Sequence, residues 1–269
     1  MVYNYLIWLF GISLFILILE RVFGLRIQAF FRPHFFRDVF FLVFNGEIFG
    51  FVLAWLLIKS TAVAGFSFNS IEVFHPLQSL PFAAQCLIYL VLRDFIEFNI
   101  HILLHRVPFL WEYHKLHHSV TQMDCMCNFR FHFMEIVVYK TLAYVVPLLL
   151  GVPWQVLFVC AIIATTIGHL NHSNLNLDYG VLGRVFNHPR MHIWHHLKTD
   201  DPREVKNFGI VFSIWDQIYK TAYFNPKVEP DIGLCDEGEL ERKAFSQFAW
   251  GVCILCCLFY LLLKLGVIS

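Results

Sequence analysis

The sequence predicts an all-α integral membrane protein with about four spanning helices, a broken helical hairpin and a histidine-rich cytosolic cap. Three observations carry this prediction. Hydrophobic residues make up 58 % of the chain and charged residues only 15 %, against about 25 % charged in a soluble domain; mean hydropathy is +0.61. Apolar runs recur at about the 20 residues that a hydrocarbon layer of roughly 30 Å requires. Finally, all of the 14 histidines except His34 and His75 lie between positions 101 and 196.

Residues 3–20, 39–58 and 81–104 form three candidate spans, the third polar at its C-terminal end, and residues 248–266 form the last. Residues 136–168 are apolar but broken by Pro147, Gly151 and Pro153. Each half is short for a full crossing, so the segment is expected to be a hairpin that enters and leaves on one face, with its turn satisfied at the interface or inside the protein. Residues 169–247 form the cap. Within it, 178–221 should be compact and 222–243 a polar surface loop running into a short helix. No repeat, low-complexity tract or long linker divides the chain, which reads as one domain over 1–269.

The basic residues set the orientation. If the loop at 21–38, with Arg21, Arg26, Arg32 and Arg37, is cytoplasmic, so are 101–135 and 169–247, and only Lys59 and Lys264 fall on the far side. This is a strong positive-inside bias. It places every histidine cluster on the cytoplasmic side of a multi-pass protein, with both termini outside. A formal net charge of +0 argues against nucleic acid as a partner. No cleavable signal is expected, because no basic residue precedes the first apolar run and no small-residue cleavage site follows it. Cys86, Cys160, Cys253, Cys256 and Cys257 sit in apolar runs, and the pair Cys125 and Cys127 lacks a second pair to complete a zinc site. They read as small buried hydrophobes.

The histidines occur as HILLH at 101–105, HKLHH at 114–118 and HIWHH at 192–196. Spacings of three and four residues put imidazoles on one helical face, so each cluster can aim two or three nitrogens at one point. Imidazole suits zinc, copper, iron and nickel. Carboxylates are scarce among the clusters, which disfavours magnesium and calcium. Eight or more histidines exceed what one ion can use, so two ions are implied.

These residues resemble the sterol desaturase and fatty acid hydroxylase superfamily of membrane-bound, non-haem di-iron oxygenases over roughly 90–225. PFLWEYHKLHHS is similar to the family's Pro-x-Leu-Trp-x-x-His-x-x-His-His-Ser. FRFHFME is similar to its Arg-x-His-Pro-x-Glu element, with Phe133 where proline is usual. GHLNHSN is similar to its third histidine element. KNFGIVFSIWDQIYKTAY is similar to its closing element, with Lys220 where glycine is common. Ile102 stands where arginine often follows the first histidine. Carried over position by position, the resemblance implies the ligands His101, His105, His114, His117, His118, His169, His172, His192, His195 and His196. His188, ahead of Pro189, reads as a ligand or as a turn or supporting residue, since the residue before proline is pushed out of helix. His132, Arg130 and Glu135 are expected to support the ligands by hydrogen bonding. Asp94 and Glu97, two turns and one turn before His101, either orient imidazoles or pair with Arg93. Asn45 and Glu47 share that ambiguity.

The resemblance implies two iron ions, with zinc as a substitute in purified protein, and O2-dependent hydroxylation or desaturation of a C–H bond in a lipid, sterol or fatty-acyl substrate. Ether-lipid cleavage, by hydroxylation beside the ether oxygen, is a third outcome within the superfamily. The chain lacks a Gly-rich dinucleotide fingerprint and any recognisable haem or iron–sulfur domain, so an external electron donor is expected to dock on the basic cap. The substrate is expected to enter from the bilayer. From another class, a metal transporter would use histidines at the membrane midplane; here they cluster at helix ends and in cytosolic segments. A bis-histidine haem carrier would need fewer of them, paired across two spans.

Overall fold

A computed structural model of the protein describes residues 4–48, 77–225 and 227–235. His75, the predicted last span, Cys253, Cys256, Cys257, most of the second span and the end of the polar stretch lie outside the described residues, as does the side chain of Glu47. Among the described residues the chain is helical, and extended pairing is limited to isolated bridges such as Gly24 with Leu175.

The first helix, α1 (Tyr5–Phe23), begins where the Asn4 side chain accepts the Leu6 N–H and ends with Arg21 in its last turn. Both features complement the helix dipole. Leu9, Ser13, Ile16, Leu17 and Glu20 form its buried stripe, whereas Ile7, Trp8, Phe10, Leu14, Phe15 and Ile18 are exposed. The buried Glu20 carboxylate accepts the backbone N–H groups of Cys125 and Asn174, which ties the end of α1 to two distant segments. Helix α2 (Phe35–Val43) continues into a π-turn at Phe44–Ile48.

Helix α3 (Phe82–Arg106) and helix α4 (Pro108–His118) are separated by Val107 alone. Proline at the first position of α4 is pre-organised for a helix start but holds Val107 extended, at φ −97 and ψ 113. The chain turns a corner there, and the polar end of α3 faces α4. Helices α5 (Phe133–Leu150) and α6 (Trp154–His172) follow, joined by a short turn at Gly151. Gly151 takes φ +59, a left-handed value that closes a helix at little cost only for glycine. Both the start of α5 and the end of α6 therefore lie at the histidine end. Helix α7 (Pro189–His192) runs on as a tight turn over Ile193–His196, and α8 is Ile214–Tyr219.

Two helices among the described residues are long and apolar enough to cross a membrane: α1, with mean hydropathy 2.2, and α6, with 1.4. Each has 19 residues, or about 28 Å at a rise of 1.5 Å per residue. Residues 136–168 fold as two helices joined at Gly151, and the second arm is longer than expected. Hydropathy falls before the helix does, so α6 runs on to His172 and is not short. Helix α3 is longer, at 25 residues, but carries Arg93, Asp94 and Glu97 along its length and is not one of these two.

Candidate metal centre

Four segments deliver histidines to one place. His101 and His105 come from the last turns of α3, and His114, His117 and His118 from α4. His172 ends α6. His192, His195 and His196 come from α7 and the turn that extends it. They fall into two buried groups: His101, His105, His114, His118 and His195 in the first, His117, His172, His192 and His196 in the second. Within each group the donor atoms all lie within 4.8 Å of one another.

The ring protons show which way the nitrogens face. His101 Nδ1 donates to the Phe208 carbonyl at 2.8 Å, His105 Nδ1 to that of Pro202 at 3.2 Å and His195 Nδ1 to that of Lys206 at 3.0 Å. His172 Nδ1 donates to the Gly168 carbonyl at 2.8 Å, and His114 Nδ1 to the Glu135 carboxylate at 2.9 Å. A neutral imidazole has one N–H, so the four rings that donate to carbonyls, His101, His105, His172 and His195, present a bare Nε2 lone pair to the interior. Burial, reinforced by neighbouring imidazoles, holds His114, His117, His118, His192, His195 and His196 well below the ordinary histidine range. These rings are therefore neutral.

Such an array fits a metal pair. His101 Nε2 and His114 Nε2 face each other at 3.2 Å, and His172 Nε2 lies 3.1 Å from His117 Nε2 and 3.2 Å from His192 Nε2. His101 has committed its only ring proton to the Phe208 carbonyl. Two nitrogens at about 2.0–2.1 Å from one ion stand roughly 3–3.4 Å apart, which matches these separations. His105 Nε2, His118 Nε2, His195 Nε2, His117 Nδ1 and both nitrogens of His196 are buried without a hydrogen-bond partner. Each unmet buried polar atom costs about 1–3 kcal/mol, and bound cations would remove that penalty at most of these atoms together.

The remaining predicted residues separate by contact. His169 lies outside both groups. Its Nε2 meets Ser13 Oγ at 2.7 Å and its Nδ1 meets the Asn128 amide at 2.7 Å, so both ring nitrogens are engaged. Asn128 is held close because Gly168 leaves room for it: a Cβ at Gly168 would sit 2.6 Å from Asn128 Oδ1. His188 caps α7 with extended backbone and packs on Tyr179 and Phe224, away from both groups. Glu135 hydrogen-bonds a grouped imidazole, His114. His132 Nδ1 accepts the Met134 N–H at the start of α5. Arg130 forks onto Asp38 and reaches Ser119 at the end of α4. Asp94 accepts the N–H groups of Val211 and Phe212 and the Trp215 indole, which pins the 207–216 loop to α3. That loop presents the Phe208 carbonyl to His101, so Asp94 acts on the imidazole only through it. Glu97 pairs with Arg93.

A third buried group, Asp38, Asp124 and Cys127, also has the makings of a metal site. Arg32 already fills it. Its Nη2 donates to Asp38, to Asp124 at 2.6 Å and to Cys127 Sγ at 2.8 Å.

One cavity of about 500 Å³ opens onto both histidine groups, touching His101, His114, His117, His172 and His192. Its apolar wall includes Tyr89, Phe129, Phe131, Ile136, Leu157 and Phe158. Tyr5, Asn128, Thr165 and Asn171 also line it; neither these residues nor the backbone carbonyls that orient the rings stood out in the sequence.

The histidine array and the closing loop fall within residues 86–221, which match the family model described as fatty acid hydroxylase. The chain belongs to the fatty acid hydroxylase family. It is 33 % identical over 170 residues to an ornithine lipid hydroxylase of Rhizobium tropici, covering 63 % of this chain and 50 % of that one. It is 26 % identical over 171 residues to an alkylglycerol monooxygenase of Caenorhabditis elegans, covering 61 % of this chain and 33 % of that one. The matched region thus spans half or less of these curated relatives. No solved structure matches. Two departures from the fatty acid hydroxylase pattern have a physical setting. Phe133 is the first residue of α5, where proline is well tolerated. Lys220 follows α8 in left-handed backbone, φ 60 and ψ 34, where glycine is the favoured residue.

Proposed function

We propose that this chain is a membrane-bound oxygenase that hydroxylates a C–H bond of a lipid at a pair of iron ions. His101, His105, His114, His118 and His195 would hold one ion and His117, His172, His192 and His196 the other. Iron held by nitrogen ligands alone would supply the activation of O2 and the oxidation of an unactivated C–H bond. The observation that carries the reading is a cavity that reaches both groups behind an apolar wall.

The chain's own residues then have separate tasks. Phe129, Phe131, Ile136, Leu157 and Phe158 bind the lipid and exclude water from the reacting carbon. The carbonyls of Pro202, Lys206 and Phe208, with the Glu135 carboxylate, hold four rings of the first group in one orientation, and the Gly168 carbonyl holds His172 in the second. His169 is a positioning residue: it locks α6 to α1 through Ser13 and to the 125–129 turn through Asn128. Helix α1 crosses the bilayer with the predicted second, third and last spans, α5 and α6 enter and return on the histidine side, and the histidine groups face the cytoplasm, as the basic residues direct. Electrons come from an external donor at the basic cap.

The similarity to a hydroxylase and a monooxygenase favours oxygen insertion over desaturation, and lipid over sterol. The alkylglycerol monooxygenase also supports a second reading, ether-lipid cleavage by hydroxylation beside the ether oxygen. Metal analysis of protein purified under reducing, iron-replete conditions should give about two ions per chain, from the ligand arithmetic. Lipid extracts from expressing membranes should contain a species heavier by one oxygen, absent from the His117→Ala variant. A stoichiometry of one or zero, or a Soret band, or zinc flux into proteoliposomes without lipid product, would replace this reading.

A further inference from the structure

The cavity wall carries one ion pair that the metal centre does not use. Arg93 Nε donates to Glu97 Oε1 at 2.8 Å, and among the described residues they are the only Lys, Arg, Asp or Glu side chains lining the cavity. Their side chains keep 22 % and 11 % of their surface accessible. Arg93, Glu97 and His101 are spaced i, i+4, i+8 on α3, so they share one face. By helix rise, Glu97 lies about 6 Å and Arg93 about 12 Å along the axis from His101.

The pair has no evident structural duty. Asp94, beside it, makes three hydrogen bonds to the 211–215 segment and so holds the cap on α3. No hydrogen bond from Arg93 or Glu97 reaches another helix among the described residues. Charge at this depth is expensive, and a buried pair without further hydrogen bonds seldom repays its desolvation. The arrangement also selects for charge. A lone carboxylate bound at Arg93 would leave the cavity net negative, and a lone ammonium at Glu97 would leave it net positive. A group bearing both signs would lay its carboxylate on Arg93 and its ammonium on Glu97. Charges would then alternate and the cavity would stay neutral.

We propose that Arg93 and Glu97 together dock a zwitterionic lipid headgroup, one with an ammonium and a carboxylate, and so place the oxidised carbon in or beside that headgroup. This rests on the reading of the cavity as a lipid site. The geometry sets the headgroup one to two turns from His101, and the tail runs past Tyr89, Leu157 and Phe158 toward the far ends of α3 and α6.

The test is equilibrium binding to the purified, metal-loaded full chain in nanodiscs. Four single-chain lipids of equal tail length serve as probes: an acylated diamino acid with free amine and free carboxylate, its N-acetyl form, its methyl ester, and an alkylglycerol. The zwitterion should bind at least about tenfold more tightly than either blocked form, the scale of one lost charge contact. Arg93→Gln should erase the preference over the methyl ester. Glu97→Gln should erase the preference over the N-acetyl form. Metal content checks that each variant is folded, and the wild-type panel stands alone if one is not. Mass spectrometry of product should place the new oxygen within the headgroup or next to it. Equal affinity for all four lipids would overturn the docking site while leaving a lipid cavity. A preference for the singly charged forms, or one that survives both substitutions, would also overturn it. Failure to bind any of the four would remove the lipid reading itself.

Discussion

His114 and Glu135 are joined by a hydrogen bond of 2.9 Å, Nδ1–H to carboxylate, between two fully buried side chains of α4 and α5. The bond fixes the ring through Nδ1 and leaves its Nε2 facing His101 at 3.2 Å. Glu135→Gln keeps the shape and weakens the acceptor. Metal affinity or activity should fall about 10- to 100-fold, the usual cost of losing such a support. Competition with a chelator, alongside lipid oxidation in membranes matched for expression, measures both. Unchanged metal retention would mean that the carboxylate does not orient the ring.

Single histidines should separate by group. His195→Ala removes an inward nitrogen from the first group and His117→Ala from the second. Each should abolish oxidation and lower metal content. His169→Ala should retain about two ions per chain, because His169 lies outside both groups, while loosening the contact between α1 and α6. His132→Ala should be milder than either ligand loss, at about 10- to 100-fold in activity. Wild-type oxidation by His117→Ala would remove the assignment.

Acid should destabilise the metal-stripped protein. Burial keeps the imidazoles of α4 and α7 neutral in the fold, well below their ordinary range. The unfolded chain takes up those protons near pH 6.5. Below that pH it binds more protons than the native state, so stability falls with pH. Thermal unfolding in detergent should show a Tm that is level above about pH 7 and declines from about pH 6.5 downward. Bound metal should be lost in the same direction, since protons compete for the same nitrogens. A Tm that rises on acidification would contradict neutral rings.

Lys220 occupies left-handed backbone just after α8, exposed to solvent. That conformation costs an L-residue about 1–2 kcal/mol, and glycine's greater entropy loss offsets roughly 0.5–1 kcal/mol of the gain. Lys220→Gly should therefore stabilise by up to about 1 kcal/mol, and Lys220→Val should destabilise. Unfolding midpoints of the two variants against wild type provide the check.

Much of the histidine array was legible because helical spacing is a local property. The i,i+3 and i,i+4 histidines of α3, α4 and α7 sit where their periodicity puts them, and HKLHH divides as a helix requires, with His114 and His118 in one group and His117 in the other. His169 read as a ligand because its spacing to His172 is helical, but spacing cannot tell which of two neighbours on a face finds Ser13 and Asn128 first. The carbonyls of Pro202, Lys206 and Phe208 carry no side-chain signal at all. Asp94 was visible as an ionisable residue at membrane depth, yet its partners lie more than a hundred residues away, at Val211, Phe212 and Trp215. The length of the second hairpin arm was less legible, because α6 continues past the apolar run to carry His172.

Arg32 gives the fold a form of chemical housekeeping. Two carboxylates and a thiol at Asp38, Asp124 and Cys127 could take in a hard or a soft cation from a mixed pool, and a guanidinium already occupies their focus. An ion arriving at the folded chain therefore meets nitrogen donors in the two histidine groups and a closed door at the oxygen-rich one. The carboxylates and thiol of this group are thereby kept from competing for metal by a cation encoded in the chain itself.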